Sequence, residues 1–130
     1  MKTKLIISVD RPNLSQTKLY TNRLDFEYLL TRLNLAYDVC EGSWQGQREQ
    51  SYMIALDDSK HYARLLDVAF SRFHQDAVLK VSAYGGAVLI NNNMTKQAIG
   101  KLVETNVIPL DKCYTQRYSD GAVFITVDHK

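Results

Sequence analysis

The chain has 130 residues, 45% hydrophobic and 23% charged, without a low-complexity run, which excludes a disordered or membrane-embedded chain and points to one globular domain over residues 1–130. At this length folding buries roughly two-thirds of the unfolded surface, enough for one core of two packed layers. The formal net charge of +2, with Lys and Arg scattered, argues against nucleic acid as a partner; Cys40 and Cys113 lie far apart without metal-ligand spacing, so a reduced, cytoplasmic protein is expected rather than a zinc site or disulfide framework.

Lys4 to Val9, with Leu5, Ile6, Ile7 and Val9 ahead of Asp10 and Pro12, reads as a first strand buried on both faces, too short to be a targeting segment. From Ser15 to about Leu35, Leu19, Phe26, Leu29, Leu30 and Leu33 recur at helical spacing, with Ser15 as N-cap. Ala36 to Glu41 forms a short strand entering a loop from Gly42 to Gly46, and Glu49 to Leu56 alternates as its partner strand. Asp57, Asp58 and Ser59 cap a second helix with an apolar stripe of Tyr62, Leu65, Leu66, Ala69, Phe70 and Phe73. Ala77 to Ala83 and Ala87 to Ile90 flank Gly85-Gly86 as a hairpin, closed by Asn91-Asn92-Asn93. The tail adds Val107-Ile108 and, after a Ser119-Asp120-Gly121 turn, a strand from Ala122 to Val127.

This order predicts an α+β fold: a ferredoxin-like antiparallel sheet with two helices on one face plus C-terminal strands. Such a sheet leaves its other face apolar and uncovered, which predicts a homo-oligomer, a trimer first.

No P-loop, GxGxxG, GxSxG or HExxH occurs, and His61, His74 and His129 sit among polar residues as solvated side chains. The densest candidate site is Glu41-Gly42-Ser43-Trp44-Gln45-Gly46-Gln47-Arg48-Glu49, where glycines admit a ligand close to the backbone and Trp44 with two carboxylates suits a cation. The same residues also read as a plain strand connection, with Trp44 packed on the subunit and Arg48 in a surface ion pair. Gln75-Asp76 likewise reads as a site or as a helix terminus and turn.

Ser8-Val9-Asp10-Arg11-Pro12-Asn13-Leu14 resembles the small S-adenosylmethionine-degrading enzymes of short-tailed coliphages in its Ser, Arg, Asn and Leu spacing. Glu41 leading a Gly-bearing loop, Arg48-Glu49, and Gln75-Asp76 before Val78-Leu79 follow in the same order. The resemblance runs from about Leu5 to Val81, with an echo at Asp120-Gly121 and the final strand; Asn91 to Lys112 aligns poorly, and the loop before Arg48 is shortened.

It implies a PII-like fold and a cytoplasmic homotrimer with sites between subunits, without a metal or organic cofactor. The implied activity is cleavage of S-adenosylmethionine to 5'-methylthioadenosine and homoserine lactone. By this resemblance Glu49 orients the substrate ammonium, Gln75 fixes the amino-acid end or ribose, Tyr37 contacts the substrate and Trp44 stacks on adenine or faces the sulfonium. Ser8, Arg11, Asn13, Glu41, Gly42, Ser43, Arg48 and Asp76 complete the substrate-binding set. Two other readings stay open: hydrolysis of the same substrate to homoserine, and a non-catalytic PII-like trimer sensing an adenine nucleotide.

Overall fold

Leu5, Ile7 and Val9 alternate with Ile6, Ser8 and Asp10, so the first strand is lined differently on its two sides. Leu5, Ile7 and Val9 join a core with the helices, while Ile6 belongs to a second cluster and Ser8 and Asp10 line a cavity. The computed structural model describes residues 2–44, 47–56, 60–106 and 113–127. In chain order the elements are β1 (Thr3–Ser8), α1 (Gln16–Arg32), β2 (Tyr37–Trp44), β3 (Gln47–Leu56), α2 (Tyr62–Asp67), a π-helical turn (Val68–Arg72), β4 (Ala77–Val81), β5 (Gly86–Asn91), β6 (Lys96–Thr105), β7 (Tyr114–Arg117) and β8 (Val123–Val127).

The strands close into an antiparallel barrel in the order β1-β3-β2-β7-β8-β6-β5-β4. This corrects the open ferredoxin-like, PII-like sheet that the element order predicts. The C-terminal strands are structural members of the sheet: β6 pairs with β5 and β8, and β7 joins β8 to β2. A bulge helps the sheet to curl, because Ala87 faces Gly100 while Val88 faces Ala98, leaving Ile99 extra, with Gly100 at φ 103°. An extra residue of this kind bends its strand and increases the local twist. Closure also removes the uncovered sheet face, and with it the physical argument for an oligomer.

Outside the barrel, Phe26 and Leu30 of α1 and Leu65, Leu66 and Ala69 of the second helical segment pack with Leu5, Ile7, Tyr52, Ile54, Val78 and Ile90. Phe26 lies edge-on to Tyr52 and Phe73, with ring centroids 5.2 and 5.7 Å apart. Inside, the smaller cluster is Ile6, Cys40, Met53 and Val81, with Leu79, Leu102 and Phe124 against it.

Ser15 caps α1, its Oγ accepting the Lys18 N–H at 3.1 Å. At the other end Asn34 turns left-handed at φ 56°, and Leu35 N–H reaches the Leu30 carbonyl, a Schellman closure. The proposed caps of the second helix, Asp57, Asp58 and Ser59, lie outside the described residues, as do Val107-Ile108. The predicted loop from Gly42 is instead strand through Trp44, paired with β3 in the register Gly42↔Glu49 and Trp44↔Gln47; Gln45 and Gly46 lie outside the described residues.

Candidate active site

One end of the barrel interior opens into a cavity of about 410 Å3, within the range of small-molecule sites. Its floor is apolar, from Ile6, Leu79, Leu89, Leu102 and Phe124, and its rim carries Ser8, Asp10, Glu49, Gln75 and Asp76. The division follows from alternation: along β1 and β3, Ser8 pairs with Ser51 and Ile6 with Met53, so polar residues line one level and apolar residues the next.

Asp10 organises the rim. Arg23 of α1 donates to both of its carboxylate oxygens, at 2.9 and 2.7 Å, and the Gln50 N–H donates at 2.9 Å. Arg23 thereby compensates a buried carboxylate, while the Gln50 bond fixes the backbone beside Glu49. Ser8 Oγ accepts the Asp10 N–H at 3.1 Å and donates to the Gln50 carbonyl at 2.8 Å.

Gln75 arrives from the opposite side. The π-helical turn ends with Phe73 N–H on the Val68 carbonyl and Gln75 N–H on the Ala69 carbonyl, a wide turn that buries Phe73 and seats Gln75 beneath Asp10. The Gln75 amide nitrogen donates to the carbonyls of Asp10 at 3.0 Å and Phe73 at 3.3 Å, so what it can still offer a ligand is its acceptor oxygen.

Glu49 stands where the cavity meets a groove on the outside of the barrel, since it lines both. Burial pushes its carboxyl up to about 7; the negative charges of Asp10 and Asp76 add to the rise, and the nearby Ser8 hydroxyl opposes it. A cation placed here would favour the ionised carboxylate.

The cavity therefore brings together Ser8, Arg11, Gly42, Ser43, Glu49, Gln75 and Asp76 of the expected set. Glu41 and Arg48 line the outer groove, which Arg11 and Glu49 share. Tyr37 does not join them: it packs edge-on to Tyr52 against the helix-side core, centroids 5.7 Å apart, and lines neither space. Asn13 is exposed in a turn at φ 71° and lines neither space. The Trp44 side chain lies outside what is described. Asp10, Ser51 and Thr115 line the cavity without having been singled out. The period of two along β3, counted inward from Glu49, is the signal that marks Ser51.

Among the described residues no group of three or more His, Cys, Asp and Glu is arranged to hold a metal ion, and no helix is long and apolar enough to cross a membrane. Compared with curated proteins, the chain has no significant match. The profile described as the S-adenosylmethionine lyase family matches residues 5–127, from the first strand to the last. With nearly the whole chain covered, the protein belongs to the S-adenosylmethionine lyase family, and its activity is that of a lyase on S-adenosylmethionine.

Proposed function

We propose that the barrel cavity converts S-adenosylmethionine to 5'-methylthioadenosine and L-homoserine lactone. The substrate's own carboxylate attacks its γ-carbon; the new C–O bond closes a five-membered ring as the C–S bond breaks, and the bonding pair returns to sulfur. One negative and one positive charge are consumed together, so the step balances without a proton transfer, water or a co-reactant. A site of this kind needs to fold the substrate and exclude solvent, and such positioning can contribute about 7–11 kcal/mol of the barrier. Because charge disappears as the ring forms, a cavity with an apolar floor favours the transition state over the charge-separated ground state.

The observation that carries this reading is Glu49, a desolvated carboxyl at the junction of the cavity and the outer groove. Ionised, it holds the substrate ammonium and keeps it from pairing with the attacking carboxylate. Gln75 presents its carbonyl oxygen from the opposite side, and Ser8, Ser43 and Asp76 border the amino-acid end. No metal or organic cofactor takes part. The family resemblance also carries a cytoplasmic homotrimer; the groove beside Glu49, bordered by the exposed Arg48 and Tyr118, is where a second chain would complete the site. In a phage, such an activity would deplete the methyl donor and so counter restriction.

Glu49→Gln tests the reading. Loss of a charge-assisted contact predicts a fall of about 10- to 100-fold in kcat/KM with folding intact. Full turnover by the variant would remove Glu49 from the mechanism.

A further inference from the structure

Two buried side-chain atoms among the described residues have no hydrogen-bond partner, the hydroxyls of Ser51 and Tyr62, and of these Ser51 lines the cavity. Native interiors rarely leave such groups unpaired, so an orphan hydroxyl inside a binding cavity is a place where a bound ligand can supply the partner. Ser51 is only 5% exposed.

Its position narrows what that partner is. Ser51 lies two residues inward from Glu49 on the same side of β3, about 6.6 Å along the strand. The polar neighbours at its level are already committed: Ser8 Oγ donates to the Gln50 carbonyl at 2.8 Å and accepts from Asp10 N–H, and Cys40 Sγ reaches the Asp38 carbonyl at 3.7 Å. Beyond Ser51 the wall turns apolar, through Ile6, Leu79 and Phe124. Gly42 leaves space beside the hydroxyl, for a Cβ there would stand 3.6 Å from Ser51 Oγ.

A ligand held by its ammonium at Glu49 and extending inward along β3 meets, in order, a charged rim, the buried unpartnered hydroxyl of Ser51 and an apolar floor. S-adenosylmethionine presents the matching order: a charged amino-acid arm and sulfonium, then a hydroxylated ribose, then a flat base. We propose that Ser51 binds the ribose, so that the substrate lies along β3 with its amino-acid end at Glu49 and its adenine on the apolar floor. The hydroxyl both donates and accepts, as a ribose hydroxyl requires. This orientation rests on the reading of Glu49 as the holder of the amino-acid end.

The probe that separates the two assignments is 5'-methylthioadenosine, which keeps the ribose and base and lacks the amino-acid arm. Its affinity for the wild-type protein, Ser51→Ala and Glu49→Gln is measured by titration calorimetry, alongside steady-state kinetics with S-adenosylmethionine. Ser51→Ala weakens methylthioadenosine binding about three- to tenfold and raises KM by a similar factor with kcat nearly unchanged, while Glu49→Gln binds methylthioadenosine as the wild type does. A thermal unfolding temperature no lower than wild type accompanies this, because the substitution removes an unpartnered buried hydroxyl. Equal methylthioadenosine affinity in wild type and Ser51→Ala overturns the proposal, as does weakening by Glu49→Gln alone, which reverses the orientation. Full turnover by Glu49→Gln, with methylthioadenosine still lost in Ser51→Ala, sinks the Glu49 reading and leaves Ser51 on the ribose.

Discussion

Glu49 couples activity and stability to the same proton. With its carboxyl titrating at about 7 in the free protein, kcat/KM for S-adenosylmethionine rises as pH increases through 7 and then levels, because only the ionised form holds the ammonium. A profile flat across that range would separate Glu49 from substrate capture. Stability runs the other way. The folded-state pKa lies above the ordinary 4.5, so the folded chain binds the proton more tightly than the unfolded chain; the resulting stabilisation is full below 4.5 and is lost as pH rises through about 7. Glu49→Gln should therefore unfold at a higher temperature than wild type above pH 7, and the two should converge near 4.5. Gly42 offers a complementary probe on the facing strand. A methyl there meets Ser51 Oγ at 3.6 Å and the Glu49 carbonyl at 3.7 Å, ordinary contacts, so Gly42→Ala should gain about 0.4–1 kcal/mol of stability while filling cavity space and raising KM. Denaturant titration together with kinetics checks both halves.

At the scale of elements, the ion pair between Asp10 and Arg23 ties the end of β1 to α1 and, through the Gln50 N–H, to β3. Arg23→Ala leaves a buried carboxylate without its cation and should cost about 1.5–3 kcal/mol, read by urea unfolding; a cost near zero would mean that solvent already screens the pair. β1, α1, β3 and the hairpin of β4 with β5 were legible in the sequence because apolar residues recur there with clean helical or alternating periods, bounded by Ser15, by Pro12 or by Gly85-Gly86. β6 was not. Its Lys96-Gln97-Ala98-Ile99-Gly100 segment is interrupted by the bulge that helps the barrel to curl, so the alternation that marks a strand changes phase halfway along. β7 has only four residues, Tyr114–Arg117, too few to show a period, although the Ser119-Asp120-Gly121 turn beside it was readable. The π-helical turn that seats Gln75 was equally hidden, because apolar spacing alone does not distinguish it from continued α-helix. Of the site, the charged residues around Glu49 and Gln75 stood out by chemistry and resemblance; Ser51 is marked by the period of two from Glu49, Asp10 acquires its place only through its bonds to α1 and β3, and Tyr37, close to the site in sequence, packs against the helix-side core.

For the whole molecule, closure changes what the sheet can do. An open sheet with helices on one side must cover its other face with a second chain, whereas the barrel turns that face inward and makes it a cavity to which all eight strands contribute. If the groove beside Glu49 is completed by a neighbouring subunit, light scattering should give a trimer and specific activity should fall as the protein is diluted into monomers; a monomer of undiminished specific activity would confine the whole site to one barrel. The most direct measurement is an incubation of the purified protein with S-adenosylmethionine in 18O-labelled water, with early products resolved by chromatography and mass spectrometry. Methylthioadenosine with unlabelled homoserine lactone, followed only later by homoserine carrying substrate oxygen on its γ-carbon, is the predicted result. Homoserine from the earliest time points with solvent oxygen on the γ-carbon, or substrate left intact, would contradict it.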